Sequence, residues 1–149
     1  MKTLLFVFLI FGIGCVKKIE PDKSEYEGIW DSGCQTDISE ARDSLRTKMK
    51  IQGHEMQVGT TVYMGADCGI PMTWGSNKMR MDFISELPTE KGIARIYKFT
   101  ILSNAGDFTY HQAYLSEGSA LYTSKSWQGP TPASFEFDFN QADFQKVSP

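Results

Sequence analysis

Histidine and cysteine are scarce in this chain of 149 residues, at two and three respectively. A zinc site normally draws on three or four convergent ligands. His54 falls at a hairpin tip and His111 inside a strand pattern, so nothing gathers them, and no metal or other cofactor is expected. Catalytic signatures are missing as well: the chain has no G-x-S-x-G elbow, no Gly-rich phosphate loop and no H-E-x-x-H. Asp67 and Asp107 are lone loop acids, so the chain is not expected to be an enzyme. Blocks of like charge are also absent. Fifteen basic against eighteen acidic side chains leave a formal charge of −3. That is a poor balance for nucleic acid, whose binding leans on Lys and Arg neutralising several phosphates. It offers no basic membrane-surface patch either.

What the chain does have is aromatic bulk, 13% of its residues with Phe foremost. Such a chain has rings to bury, and its length suits one domain. Its first fifteen residues, MKTLLFVFLIFGIGC, set the expected compartment. Lys2 precedes an apolar run from Leu4 to Phe11, and small residues lead into Cys15. This is the pattern of a secretory signal, too short for a comfortable transmembrane helix. Gly12-Ile13-Gly14-Cys15 resembles the lipobox of bacterial lipoproteins, although that motif prefers Leu where Gly12 stands. The resemblance implies cleavage before Cys15 and lipid attachment to its thiol. Acyl chains favour membrane association by about 0.8 kcal/mol per buried CH₂. An ordinary signal peptide with Cys15 as a bystander is the alternative. Residues 16–25 are polar, contain Pro21 and suit a tether, which leaves 26–149 for the folded domain. By the same resemblance, Val16 after the Cys, in place of Asp, points to the outer membrane. The protein is thus expected to be secreted across the inner membrane and lipid-anchored in the cell envelope.

With Cys15 lipidated, Cys34 and Cys68 remain as an even pair in an oxidising space. A disulfide between them would stabilise by roughly 3–4 kcal/mol. Two buried free thiols are the other possibility.

Beyond the tether the pattern has period 2 almost throughout. Tyr26, Gly28 and Trp30 share one face. Leu45, Thr47, Met49 and Ile51 alternate with Arg46, Lys48 and Lys50. Further strands are expected around Met56 to Met64, Met79 to Phe83, Ile93 to Ile101, Phe108 to Tyr114 and Ala120 to Tyr122, with Phe135, Phe137 and Phe139 on the last. The one plausible helix is a turn or two from Ser39 to Leu45. Eight strands in simple succession predict an all-β fold, an eight-stranded up-and-down antiparallel barrel, with a two-sheet sandwich as the alternative. Connections near Gly53, Pro88 to Gly92, and Ser116 to Gly118 are short. Those at Cys34 to Asp43, Gly65 to Asn77, and Ser126 to Ser134 are long, so one end should be closed and the other rimmed by loops, with both Cys34 and Cys68 at the rim.

Tyr26-Glu27-Gly28-Ile29-Trp30 resembles the G-x-W signature on the first strand of lipocalins and their calycin relatives. That resemblance spans nearly all of residues 25 to 147 and implies a lipocalin-like barrel that binds or sequesters a small apolar molecule. Two features depart from it. The T-D-Y motif is not evident, and the last strand offers no Arg to stack on Trp30, with Lys146 close to the terminus.

The inferred inner face carries Trp30, Met49, Met79, Met81, Phe83, Tyr97, Phe99, Phe108, Tyr110, Tyr122 and Phe137. These residues either line a ligand cavity or fill the barrel. Arg95 falls on the inward phase, where it could meet an acidic headgroup, unless a bulge turns it outward. Met72, Trp74 and Trp127 lie in the long connections, as a contact surface or as lids over the mouth. The expected partners are therefore the membrane, through the lipid, and either a small apolar ligand or an envelope protein or glycan met at the rim. Protease inhibition by surface loops is a third possibility that no residue favours, and fold alone does not choose among them.

Overall fold

Alternation of apolar and polar residues drives the architecture, and in a computed structural model it closes the sheet on itself. The structure describes residues 25–36, 43–102, 106–129 and 135–148. Within them the strands are β1 (Gly28–Asp31), β2 (Gln35–Thr36), β3 (Ser44–Gln52), β4 (Glu55–Met64), β5 (Ile70–Thr89), β6 (Gly92–Ile101), β7 (Phe108–Glu117), β8 (Ala120–Thr123) and β9 (Phe144–Ser148). Neighbours in sequence pair antiparallel from β3 round to β9, and β1 bridges β9 and β3. The result is an eight-stranded, closed, antiparallel up-and-down barrel, with β2 an extra strand on the outer part of β3. Closure leaves every barrel strand with partners.

Tight turns at Gly53–His54, Glu90–Lys91 and Gly118–Ser119 shut one end. Gly53 takes a left-handed φ of 58° there, which glycine adopts without strain. At the opposite end Cys34 and Cys68 are bonded, with Cα atoms 5.8 Å apart. Gly28 has a φ of 129°, so the glycine of the G-x-W string is needed for the chain's entry into β1.

The barrel departs from the sequence pattern in four places. The third connection is only Gly65 to Gly69, because β5 already begins at Ile70. Pro71, Gly75 and Asn77 read as a loop, yet proline is tolerated on an edge strand whose free side needs no N–H. Phe135 to Phe139 is not a barrel strand: apart from one bridge between Ser124 and Phe137 it lies as a strap on the outside. The eighth barrel strand is instead Phe144–Ser148. Finally, Ser44 and Leu45 belong to β3 and not to a helical turn, while the rest of that expected turn lies outside the described residues. So do the expected signal, Cys15 and most of the expected tether.

Two apolar layers follow. Tyr26, Trp30, Met49, Met56, Met81, Tyr97, Phe99, Tyr114 and Leu121 fill the interior. Ala94, Ile96, Ala113, Leu115 and Tyr122 form a second layer on the outer wall, beneath Phe135, Phe137 and Phe139.

Candidate functional site

The interior is packed with rings. Tyr97 makes edge contacts with Tyr26, Phe83 and Tyr114 at centroid separations of 6.1, 6.0 and 6.2 Å. Phe99 stacks on Tyr110 at 5.0 Å. These are favourable aromatic geometries. Trp30 is fully buried, and its indole N–H donates to the Tyr26 carbonyl at 2.8 Å. The Tyr26 hydroxyl donates to the Tyr114 carbonyl at 3.1 Å, and that of Tyr110 meets Met79 Sδ at 3.2 Å. Burial pushes the pKa of Tyr110 up to about 12, and raises those of Tyr26 and Tyr114 too. All three phenols are therefore neutral in the core.

Of the expected lining residues, the structure brings Trp30, Met49, Met79, Met81, Phe83, Tyr97, Phe99 and Tyr110 together inside. Tyr122 and Phe137 it places on the outer wall. β8 is only four residues long and apolar on both faces, Leu121 turning inward and Tyr122 outward under the strap. Lys91 fixes that side, its ammonium 4.5 Å from the Tyr122 centroid and donating to the Phe139 carbonyl at 3.0 Å. Phe108 is exposed at the mouth.

Arg95 does face inward, but at the closed end, and protein carboxylates neutralise it. Its Nη1 lies 2.6 Å from Glu25 Oε1 and its Nε 3.9 Å from Glu86. The guanidinium sits 5.2 Å from the Tyr26 ring centroid. The pull on an acidic headgroup expected from its phase is thus already used within the floor of the barrel.

The rim residues are not lids and do not share one wall. Trp127 is exposed beside β7, where its backbone exchanges two hydrogen bonds with His111, at 2.7 and 2.8 Å. Met72 and Trp74 lie on β5 instead of in a loop, exposed together with Met64 and Ile70. The turn beneath them is firmly held. The buried Ser44 hydroxyl donates to the Gly65 carbonyl at 2.6 Å and accepts from the Cys68 N–H at 3.0 Å, next to the Cys34–Cys68 bond.

Sequence reasoning missed the feature this creates. Residues 70–78 of β5 pair only with β4, since β6 ends at Ile101 opposite Met79. Among the described residues that stretch has no strand on its other edge. Ladder alternation, counted from the Met81 N–H that donates to the His54 carbonyl at 2.7 Å, aims the N–H groups of Trp74, Ser76 and Lys78 at the open side. Where the edge meets β6 there is an open cleft of about 540 Å³. Met79, Ile101 and Leu102 give it an apolar part, and His54, Glu55 and Lys78 a polar one. The signal was in the sequence, as the apolar alternation of Ile70, Met72 and Trp74, but Pro71 masked it.

Among the described residues no group of His, Cys, Asp or Glu is placed to hold a metal. No family model, curated protein or solved structure matches the chain. The lipocalin-like likeness therefore stands on architecture, a closed antiparallel barrel of eight strands.

Proposed function

We propose that this protein is a lipid-anchored lipoprotein of the bacterial cell envelope, held at the outer membrane through Cys15, that works by binding and not by catalysis. Its packed barrel serves as a rigid adaptor, and an extended segment of an envelope protein adds as a strand to the free edge of β5. The observation that carries this reading is the contrast between a filled interior and an edge at residues 70–78 that has no strand partner among the described residues and exposes Ile70, Met72 and Trp74. Natural sheets normally cover or blunt such edges because they template pairing, and strand addition is a recurring mode of recognition. The disulfide clamp below the hairpin pre-forms the edge, and it suits an oxidising compartment.

A photo-crosslinker placed at Thr73 in the full chain, in its own membrane, tests the edge. Ser76→Pro removes a donor from the open side and leaves the ladder to β4 intact, so it should abolish the adduct while the melting transition stays in place. An adduct that survives Ser76→Pro, or one that joins two copies of this chain, overturns the reading. For the anchor, acyl label should enter the wild type and not Cys15→Ser, and equal label would defeat it.

The second reading is a carrier or sink for a small apolar ligand. What favours it is the closed-barrel architecture together with the cleft beside Met79, whose volume falls in the range of small-molecule sites. An apolar fluorescent probe displaced by Met79→Trp would support that reading.

A further inference from the structure

Gly59 and Gly75 lie in the middle of long strands where neither the backbone nor the packing requires glycine. Neither is among the residues with left-handed φ. A Cβ at Gly59 would come no closer than 3.8 Å to another atom, and one at Gly75 would meet nothing within 4 Å. Glycine inside a strand weakens it, and it commonly marks a place where something approaches the backbone closely. Gly59 shares the outward face with Lys48 and Ser76 and lowers the outer surface of the β3–β4–β5 wall into a trough of about 210 Å³, whereas Gly75, opposite Thr60, is on the inward face and borders the trough only with its backbone.

Register sets what surrounds the trough. Gly59 lies between Lys48 and Ser76, Thr61 between Arg46 and Trp74, and Gln57 between Lys50 and Lys78. Trp74 is 76% exposed, so its ring is open to solvent at the trough's edge, near Tyr63. Arg46 is fixed by Asp31 at 2.6 Å, and Lys48 reaches the same carboxylate only at 3.9 Å. Around the trough two cations thus face one buried acid, and the next row adds Lys50 and Lys78. A chain with a net charge of −3 has gathered positive charge beside an exposed indole.

We propose that this trough binds an anionic saccharide. The apolar face of a pyranose ring stacks on Trp74, its hydroxyls meet Thr61 and Tyr63, and its carboxylate, sulfate or phosphate meets Lys48. Lys50 and Lys78 extend the track for a polymer. The concave floor fits a ring better than it fits a flat bilayer, and so few cations are weak equipment for a nucleic acid backbone. The site is on the outer face and does not depend on strand addition at the β5 edge.

Calorimetric titration of the full chain with oligogalacturonate, a heparin oligosaccharide and phosphomannan tests the proposal, with methyl-esterified oligogalacturonate as the uncharged control. At least one anionic sugar should bind, and the ester should bind more weakly. Salt should weaken the interaction, as it screens exposed charge. Trp74→Ala and Gly59→Val should each reduce affinity by roughly tenfold or more. Gly59→Val fills the trough with a residue that strands favour, so its melting transition should not fall, which separates loss of the site from loss of the fold. Binding of none of the three sugars overturns the proposal. So does undiminished binding by Gly59→Val, or a preference for anionic vesicles or single-stranded DNA that depends on Trp74.

Discussion

The ammonium group of Lys146 lies over the indole of Trp30, 5.3 Å from the ring centroid. The two residues are also register partners where β9 closes the barrel onto β1. A lipocalin-like barrel is expected to stack an Arg on this Trp, and here a Lys from the closing strand occupies the place. The contact joins the first and last barrel strands, so it acts on closure itself.

Lys146→Ala should therefore lower stability by about 0.5–2 kcal/mol, the range for a cation over an aromatic face. Lys146→Arg should keep or raise it, because guanidinium also stacks on indole. Denaturant melts of the three proteins measure this. An Ala variant as stable as the wild type would show that the ammonium contributes nothing to closure.

How much of this was legible in the sequence depends on what sets each strand's face. Met49 and Ile51 alternate with the exposed Lys48, Lys50 and Gln52 because one side meets core and the other water, and their faces were readable. Tyr122 was not, because the strap of Phe135, Phe137 and Phe139 makes the outer side of β8 apolar as well. Period 2 in that strap is real, but alternation reports only that one side is buried, not whether the burial is inside the barrel or against its outer wall. β9 escaped notice for the opposite reason, being short and mostly polar. The β5 edge was hidden behind Pro71. Arg95 had the right phase, yet Glu25, its closest acid, lies far away in sequence and only the fold brings the two together.

Asp31 offers a pH test. Arg46 holds its carboxyl below the usual carboxylate value by donating from Nε and Nη2 at 2.8 and 2.6 Å, and the Gly33 N–H and Lys48 act the same way while burial opposes them. A lowered folded-state pKa means the contribution is complete above the unfolded value, about 3.9, and is lost as pH falls through the folded one. Asp31→Asn should be less stable than wild type at neutral pH by about 1.5–3 kcal/mol, the scale of hydrogen bonds to a charged group. That gap should close below about pH 4. Melts across the acid range decide, and a gap independent of pH would mean the charge is not what matters.

Met81 decides between a filled barrel and a lined cavity. It is 1% exposed, lies opposite Phe99 in the β5–β6 register, and belongs to the same core as Tyr97. Where atoms surround a side chain on all sides, truncation leaves a void that neighbours only partly relax into. Met81→Ala should then cost about 2–5 kcal/mol. Were one wall of the residue turned to open space, the loss would be small and an apolar probe would bind the variant with altered affinity. The rings around Tyr97 leave no such wall, so a large stability loss should come with no change in probe binding. A paired melt and titration on wild type and Met81→Ala reads both quantities from one pair of proteins. A small loss with changed probe affinity would return the interior to the ligand and make the carrier reading the stronger one.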